Sequence, residues 1–239
     1  MLHISATTQE VLTAAAEYFV NTANEAIASQ GRFTVALSGG NSPKGFFEML
    51  ASDFHHRVEW NKVYFFFGDE RYVPFDHPES NALMAFKALF EPLNIASSQV
   101  FNIDTSLQPD ASAKAYHEAI EKHFAPSPPT FDLILLGLGD DAHTASLFPH
   151  TKVVDATEAG VEAVFVKDKQ VYRITFTAPL INLAKHIAFL VFGSSKAQAV
   201  QHVFYSPKNV HEYPAQIIQP ENGDVNWFMD EAASAMLKK

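Results

Sequence analysis

The chain has 239 residues, 47% of them apolar and 18% charged, with no cysteine and a formal net charge of −10. That length buries a substantial core, as one large globular domain or two small ones, and the composition is that of an ordinary soluble protein. The acidic balance argues against a nucleic-acid or anionic-membrane partner. The lack of cysteine excludes disulfide and thiolate chemistry and fits a reducing cytoplasm, and no apolar run is long enough to span a bilayer.

The opening MLHISATTQE carries neither a basic nor an apolar leader segment, so no signal peptide is expected. Thr7 and Glu10 have the spacing of a capping box, and Val11, Leu12, Ala15, Tyr18, Phe19 and Thr22 follow at helical spacing. They predict a long first helix to about residue 29, ended by Gly31. Phe33–Leu37 reads as a short strand. It feeds Ser38-Gly39-Gly40-Asn41-Ser42-Pro43, where Ser42 as N-cap and Pro43 at the first helical position predict a helix through Leu50. Val63–Phe67 is a second buried strand, closing on Gly68-Asp69-Glu70-Arg71. A loop over 74–78, a helix over 80–89, a third strand over 100–103 and a helix over 110–123 follow. The proline-rich stretch 125–129 is a stiff connector. The strand it feeds completes the same pattern, so no boundary is placed there and residues 1–239 are expected to form a single domain.

Residues 131–136 are an apolar run interrupted by one aspartate and ended by Gly137; Gly139, Asp140, Asp141 and His143 come next. An apolar run followed by a glycine-rich polar loop is the pattern of the carboxyl end of a buried parallel strand. Residues 144–148 read as a helix or turn, stopped by Pro149. Strands over 163–166 and 171–177 are joined by a polar turn, with alternation in 172–177 that predicts one exposed face. A short helix over 178–184 and a buried strand over 187–192 lead to Gly193-Ser194-Ser195-Lys196 and a helix to about residue 205. Residues 214–218 are irregular, and 227–237 read as a terminal helix. Alternating strands and helices predict an α/β fold with a mainly parallel sheet flanked by helices. Four loops follow strands: 38–42, 68–73, 137–143 and 193–196. In such a sheet they gather at one edge, where ligands bind.

Several chemistries compete for these loops. The Ser38-Gly39-Gly40 turn can cradle a phosphate with backbone N–H groups and a helix start, or can be an ordinary strand–helix turn. It matches neither the P-loop nor G-x-G-x-x-G. It also resembles a nucleophile elbow, giving a rival triad Ser38, His143 and Asp141. That rival is weakened because an aspartate two residues from its histidine is a poor orienting partner. Asp69-Glu70-Arg71 is a helix cap or surface ion pair on the plain reading. Arg71, however, is one of only four arginines, with Arg32, Arg57 and Arg173. Arg173 lies within a strand, where a charge needs an anionic partner unless it faces solvent. Lys196 stands at a helix start, the end of the dipole that suits an anion. No zinc-ligand spacing surrounds His143, which favours a general base over a metal ligand.

Together these blocks resemble a known family. ALSGGNSPK at 36–44, FGDERYV at 67–73 with Ser80-Asn81, LLGLGDDAHTASLFP at 135–149, RITFTAPLIN at 173–182, GSSKA at 193–197 and PAQIIQPENGDVNWFMD at 214–230 are similar to 6-phosphogluconolactonases, in order along nearly the whole chain. The wider superfamily includes glucosamine-6-phosphate deaminases; Asp69-Glu70-Arg71 and the Ala-Ser-Leu-Phe-Pro after His143 favour the lactonase. The resemblance implies a modified doubly wound sheet, no cofactor, and hydrolysis of 6-phosphoglucono-δ-lactone in the pentose phosphate pathway; the absent zinc spacing already argues for no metal. It implies His143 as the base, Arg71 as a substrate contact, and Arg173 and Lys196 as phosphate ligands backed by Ser38, Gly39 and Gly40. Asp141 would orient the imidazole or raise its basicity. The expected partner is a small sugar-phosphate lactone, with oligomeric state open and a monomer compatible. A sugar-phosphate isomerase or deaminase and a non-catalytic sugar-phosphate sensor are the competing classes. The chain departs from the family at Ala142, where Asp-Gly-His is usual; at positive φ, alanine costs on the order of 1 kcal/mol.

Overall fold

The computed structural model describes residues 1–237, apart from the side chains of Asn41 and Asp168. A six-stranded parallel sheet has the order β1-β9-β8-β5-β2-β3, with β1 Leu2–Ser5, β2 Phe33–Leu37, β3 Val63–Phe67, β5 Leu133–Leu136, β8 His186–Val191 and β9 Asp224–Asp230. A three-stranded antiparallel sheet, β4-β7-β6, holds β4 Asp69–Arg71, β6 Val161–Val166 and β7 Val171–Phe176. The helices are α1 Thr8–Gln30, α2 Asn41–Ser52, α3 Asn81–Ala85, α4 Pro109–Phe124, α5 Ala178–Ile181 and α6 Ala197–Tyr205.

Local sequence accounts for much of this. Thr7 Oγ1 accepts from Glu10 N at 3.2 Å and the Glu10 carboxylate accepts from Thr7 N at 3.2 Å, so the predicted capping box opens α1. Gly31, at φ 79°, ends it. All five residues of β2 are buried, as expected of a strand covered on both faces. Gly68 joins the two sheets: its N–H donates to Leu37 O and its carbonyl accepts from Phe176 N. Phenylalanines fill the interior; Phe66 packs on Phe101, Phe124 and Phe131 at ring separations of 4.3–6.2 Å.

The chain runs from β2 outward to β3, returns to β5 on the other side of β2, and continues away through β8 and β9. The loops leaving β2 and β5 therefore diverge at the point where strand order reverses, the position of the ligand crevice in doubly wound sheets.

The structure departs from expectation in several places. Residues 224–230 form β9, not the start of a terminal helix; Asn226–Asp230 is buried throughout, so no alternation marks it as a strand. β1 is an unpredicted edge strand paired with β9. Residues 100–103 make a single bridge, Phe65 with Val100, rather than a strand. α2 begins one residue after Gly40, which serves as N-cap at φ 104° and ψ −179°, so Ser42 and Pro43 lie inside the helix. Only glycine readily takes that conformation, and this lets the turn close earlier than a serine cap would. In β7, Ile174, Thr175 and Phe176 are all buried, so the alternation does not hold there.

Candidate active site

The strand-end loops and the small sheet enclose a cavity of about 280 Å³. Ser38, Gly39 and Gly40 come from the loop after β2, Arg71 from β4, His143 from the loop after β5, Arg173 from β7, and Lys196 from the turn after β8. These seven expected site residues share one wall system. The eighth, Asp141, stands behind His143 and faces an adjoining groove of about 990 Å³. That larger groove holds none of His143, Arg71, Arg173 and Lys196, so the chemistry belongs to the smaller cavity.

His143 is held from three sides. Its Nδ1 lies 2.5 Å from Asp141 Oδ1, and its backbone N–H donates to the same oxygen at 3.1 Å. Two residues are thus enough separation for the aspartate to orient the ring, because the chain reverses tightly between them. Gly139 N donates to His143 O at 2.8 Å, and Ala142 N to Gly139 O at 3.0 Å. Ala142 sits at φ 61° and Ala145 at φ 48°. The expected cost of alanine in the family glycine's place is therefore present in this loop. Gly139 makes the pairing possible: a Cβ there would fall 2.0 Å from His143 Nδ1 and 2.6 Å from Asp141 Oδ1. On its other side the imidazole stacks on Phe148, with centroids 4.1 Å apart.

Burial raises the Asp141 carboxyl, but the hydrogen bond and charge of His143 outweigh it, and the group lies below its ordinary range. An ionised carboxylate only accepts, so Nδ1 carries the proton and Nε2 is the nitrogen free to take one. Ser38 Oγ donates to Gly39 O at 3.4 Å. Among the described residues no hydrogen bond joins it to His143, which leaves the nucleophile-elbow triad without its first link.

The cations line the opposite walls. Arg71 and Arg173 are directly opposed across the β4–β7 ladder. Arg71 Nη1 donates to Glu79 O at 2.6 Å. Arg173 Nε is buried with no hydrogen-bond partner. Burial pushes the Arg173 guanidinium down; the Asp69 carboxylate opposes this and Arg71 adds to it. Lys196 donates to Asp140 Oδ1 at 2.6 Å at the entrance to α6. Two like charges paired across a ladder, one with an orphaned donor, suit an anionic ligand.

Beneath the cations lies a buried polar layer. Glu70 is 3% exposed and accepts from the backbone N–H groups of Arg71, Asn81 and Ala82 at 2.7–2.8 Å and from Ser80 Oγ at 3.2 Å. It is the glutamate of the predicted Asp-Glu-Arg run, and it caps α3 from a distance. Burial pushes its carboxyl up against the opposing pull of those N–H groups. Asp69 Oδ2 accepts from Ser146 Oγ at 2.7 Å, tying β4 to the histidine loop.

Sequence reasoning assigned no role to Asp69, Asn81, Phe148 and Lys169, which also stand in these walls. Asp69 and Asn81 lay in quoted motifs but had no chemistry assigned. Phe148 is five residues past the histidine, in a stretch expected to be a helix or turn, which folds as a tight turn with Leu147 N on Thr144 O. Lys169 is on the β6–β7 hairpin, with Nζ 5.0 Å from the Phe148 centroid, and no local signal marks it. Among the described residues no group of three or more His, Asp or Glu side chains is arranged to hold a metal ion.

Comparison with known proteins places this geometry. A 6-phosphogluconolactonase from a Synechocystis species is 43% identical over 218 residues, covering 90% of this chain and 88% of that one. A 6-phosphogluconolactonase from a Nostoc species is 42% identical over 216 residues, covering 89% and 88%. The solved structure of 6-phosphogluconolactonase from Trypanosoma cruzi superposes with a TM-score of 0.88 at 26% identity, covering 100% of this chain and 97% of that one. The family model described as glucosamine-6-phosphate isomerases/6-phosphogluconolactonase matches residues 6–227, and the chain belongs to that family.

Proposed function

We propose that the protein is a 6-phosphogluconolactonase, hydrolysing 6-phosphoglucono-1,5-lactone to 6-phosphogluconate in the pentose phosphate pathway. The observation that carries the mechanism is His143, held by Asp141 and facing a cavity whose far walls hold Arg71, Arg173 and Lys196. A lactone is an activated ester, so one base and a water suffice. His143 Nε2 takes a proton from water as the oxygen attacks C1. Asp141 fixes the ring and stabilises the imidazolium. Arg71 or loop N–H groups stabilise the oxyanion. The imidazolium then protonates the ring oxygen as the C1–O bond breaks. Arg173, Lys196 and the backbone of Ser38, Gly39 and Gly40 hold the phosphate, whose binding energy fixes the lactone over His143.

The family match over 6–227 supports reading the chain as one catalytic domain. No helix among the described residues is long and apolar enough to cross a membrane, which fits a cytoplasmic enzyme. The test is lactone opening by the purified protein, corrected for the spontaneous reaction. The expected result is a rate well above background and no ammonia from glucosamine 6-phosphate. Ammonia release without lactone hydrolysis would assign the site to the deaminase branch.

A further inference from the structure

Asn81 is the first residue of α3 and is 2% exposed. Its backbone N–H donates to Glu70 Oε1 at 2.8 Å, and its Nδ2 donates to Asp69 O at 2.9 Å. The second bond fixes the orientation of the carboxamide, since only the NH₂ end can donate to a carbonyl. Oδ1 consequently points the other way, buried and without a hydrogen-bond partner. What it meets is Gly39. A Cβ built on Gly39 would lie 1.8 Å from Asn81 Oδ1, 2.2 Å from Cγ and 2.6 Å from Nδ2.

The two adjacent glycines are therefore glycine for different reasons. Gly40 has open space around it and needs its positive φ. Gly39 has no such backbone requirement; it is glycine because the Asn81 carboxamide occupies the place of its side chain. Oδ1 lies against Gly39, whose C–H is a weaker donor than an amide N–H. A buried acceptor left in that position is costly, and such a violation of local satisfaction is expected where function requires it.

We propose that Asn81 is a positioning residue for substrate phosphate. Its carboxamide is a spacer wedged between the backbone of β4, which carries Arg71, and the Ser38–Gly40 loop. It sets the distance between the loop N–H donors and the β4–β7 ladder that carries Arg173, and hence the width of the phosphate seat. The inference rests on the phosphate-binding reading of that loop.

The experiment compares Gly39→Ala, Asn81→Ala and the double variant. It measures KM and kcat for the lactone, the Ki of inorganic phosphate as competitor, and thermal unfolding. Gly39→Ala pushes the loop off the spacer and is expected to raise KM and phosphate Ki together by at least tenfold, with kcat within about threefold of wild type. Asn81→Ala removes the spacer and is expected to raise both by a smaller factor. The double variant is expected to bind phosphate better than Gly39→Ala alone, because the three nearest atoms met by the new methyl all belong to the Asn81 side chain. Should Gly39→Ala fold too poorly to assay, Asn81→Gly and Asn81→Ser supply the same KM-against-kcat split. Variants that lose thermal stability while keeping wild-type KM and Ki would overturn the proposal, as would a double variant no better than Gly39→Ala. Inorganic phosphate that fails to compete even in wild type would instead remove the phosphate reading, and the proposal with it.

Discussion

Replacing Arg173 by methionine should make the unliganded protein more stable and the phosphate-bound protein less so. The guanidinium lies directly across the ladder from Arg71, and like charges so placed repel, by about 0.2–1 kcal/mol. Its Nε is buried without a partner, a deficit of about 1–3 kcal/mol. Methionine keeps the apolar stem and removes both penalties. Part of the gain is offset because Asp69 loses the attraction of Arg173, although its bond from Ser146 remains. The net expectation is about 1–2 kcal/mol of added stability, or a Tm higher by about 2–8 °C for a chain of this size. At inorganic phosphate a hundredfold above its Kd, the wild type gains about 2.7 kcal/mol and the variant much less. Thermal unfolding with and without phosphate should therefore show the two proteins exchanging rank. A variant less stable than wild type without phosphate would mean that Arg173 is not strained in the free protein, and one stabilised by phosphate to the same degree that it is not a phosphate ligand.

Three other substitutions probe the surrounding layers. Glu70→Gln exchanges one of two acceptor oxygens for an NH₂ that faces backbone donors, and should cost about 2–3 kcal/mol, read as a lower urea midpoint at unchanged m; a cost below about 1 kcal/mol would mean the four bonds to Glu70 are not holding α3 against β4. Asp141→Asn should lower kcat on the order of 10²-fold with little change in KM. Because the folded Asp141 carboxyl is held low, its stabilising share is present above the ordinary carboxylate pKa of about 3.9 and is lost as pH falls through the lower folded value. The stability gap between wild type and Asp141→Asn should thus narrow as pH drops below that range; a gap that widens contradicts the pairing. Ala142→Gly relieves about 1–2 kcal/mol at positive φ. It gives up a buried methyl worth about 0.8 kcal/mol and loosens the unfolded chain by about 0.4–1 kcal/mol. Stability should stay within about 1 kcal/mol and activity should be kept; a large loss would show that the methyl itself anchors the loop.

The parts legible in the sequence were those governed by local rules. The capping box at Thr7 and Glu10, the glycine stop at Gly31 and the apolar runs of β2, β3 and β5 all fold as their residues predict. Loops after such strands collect at one sheet edge by topology alone, which is why seven of eight expected site residues meet in one cavity. What stayed hidden depends on distant partners. β9 is buried on both faces and has no period to read, and β1 is a strand only because β9 lies beside it. Asp141 looked too near to orient His143; the reversal through positive-φ Ala142, beside a glycine with no side chain to obstruct, makes them partners. Lys169 reaches the cavity from a hairpin tip, and nothing in its neighbours' identities announces it; Asn81, though within a quoted motif, reaches it from a helix start with no local sign of its role.

The mechanism stands on His143 as the base. Its most direct test is lactone hydrolysis by wild type and His143→Gln, corrected for spontaneous opening, with product binding measured separately. With His143 as the base, kcat should fall roughly 10²–10⁴-fold, with 6-phosphogluconate bound within about threefold of wild-type affinity, because the cations and the glycine loop are untouched. A variant that keeps kcat within about threefold of wild type would contradict it.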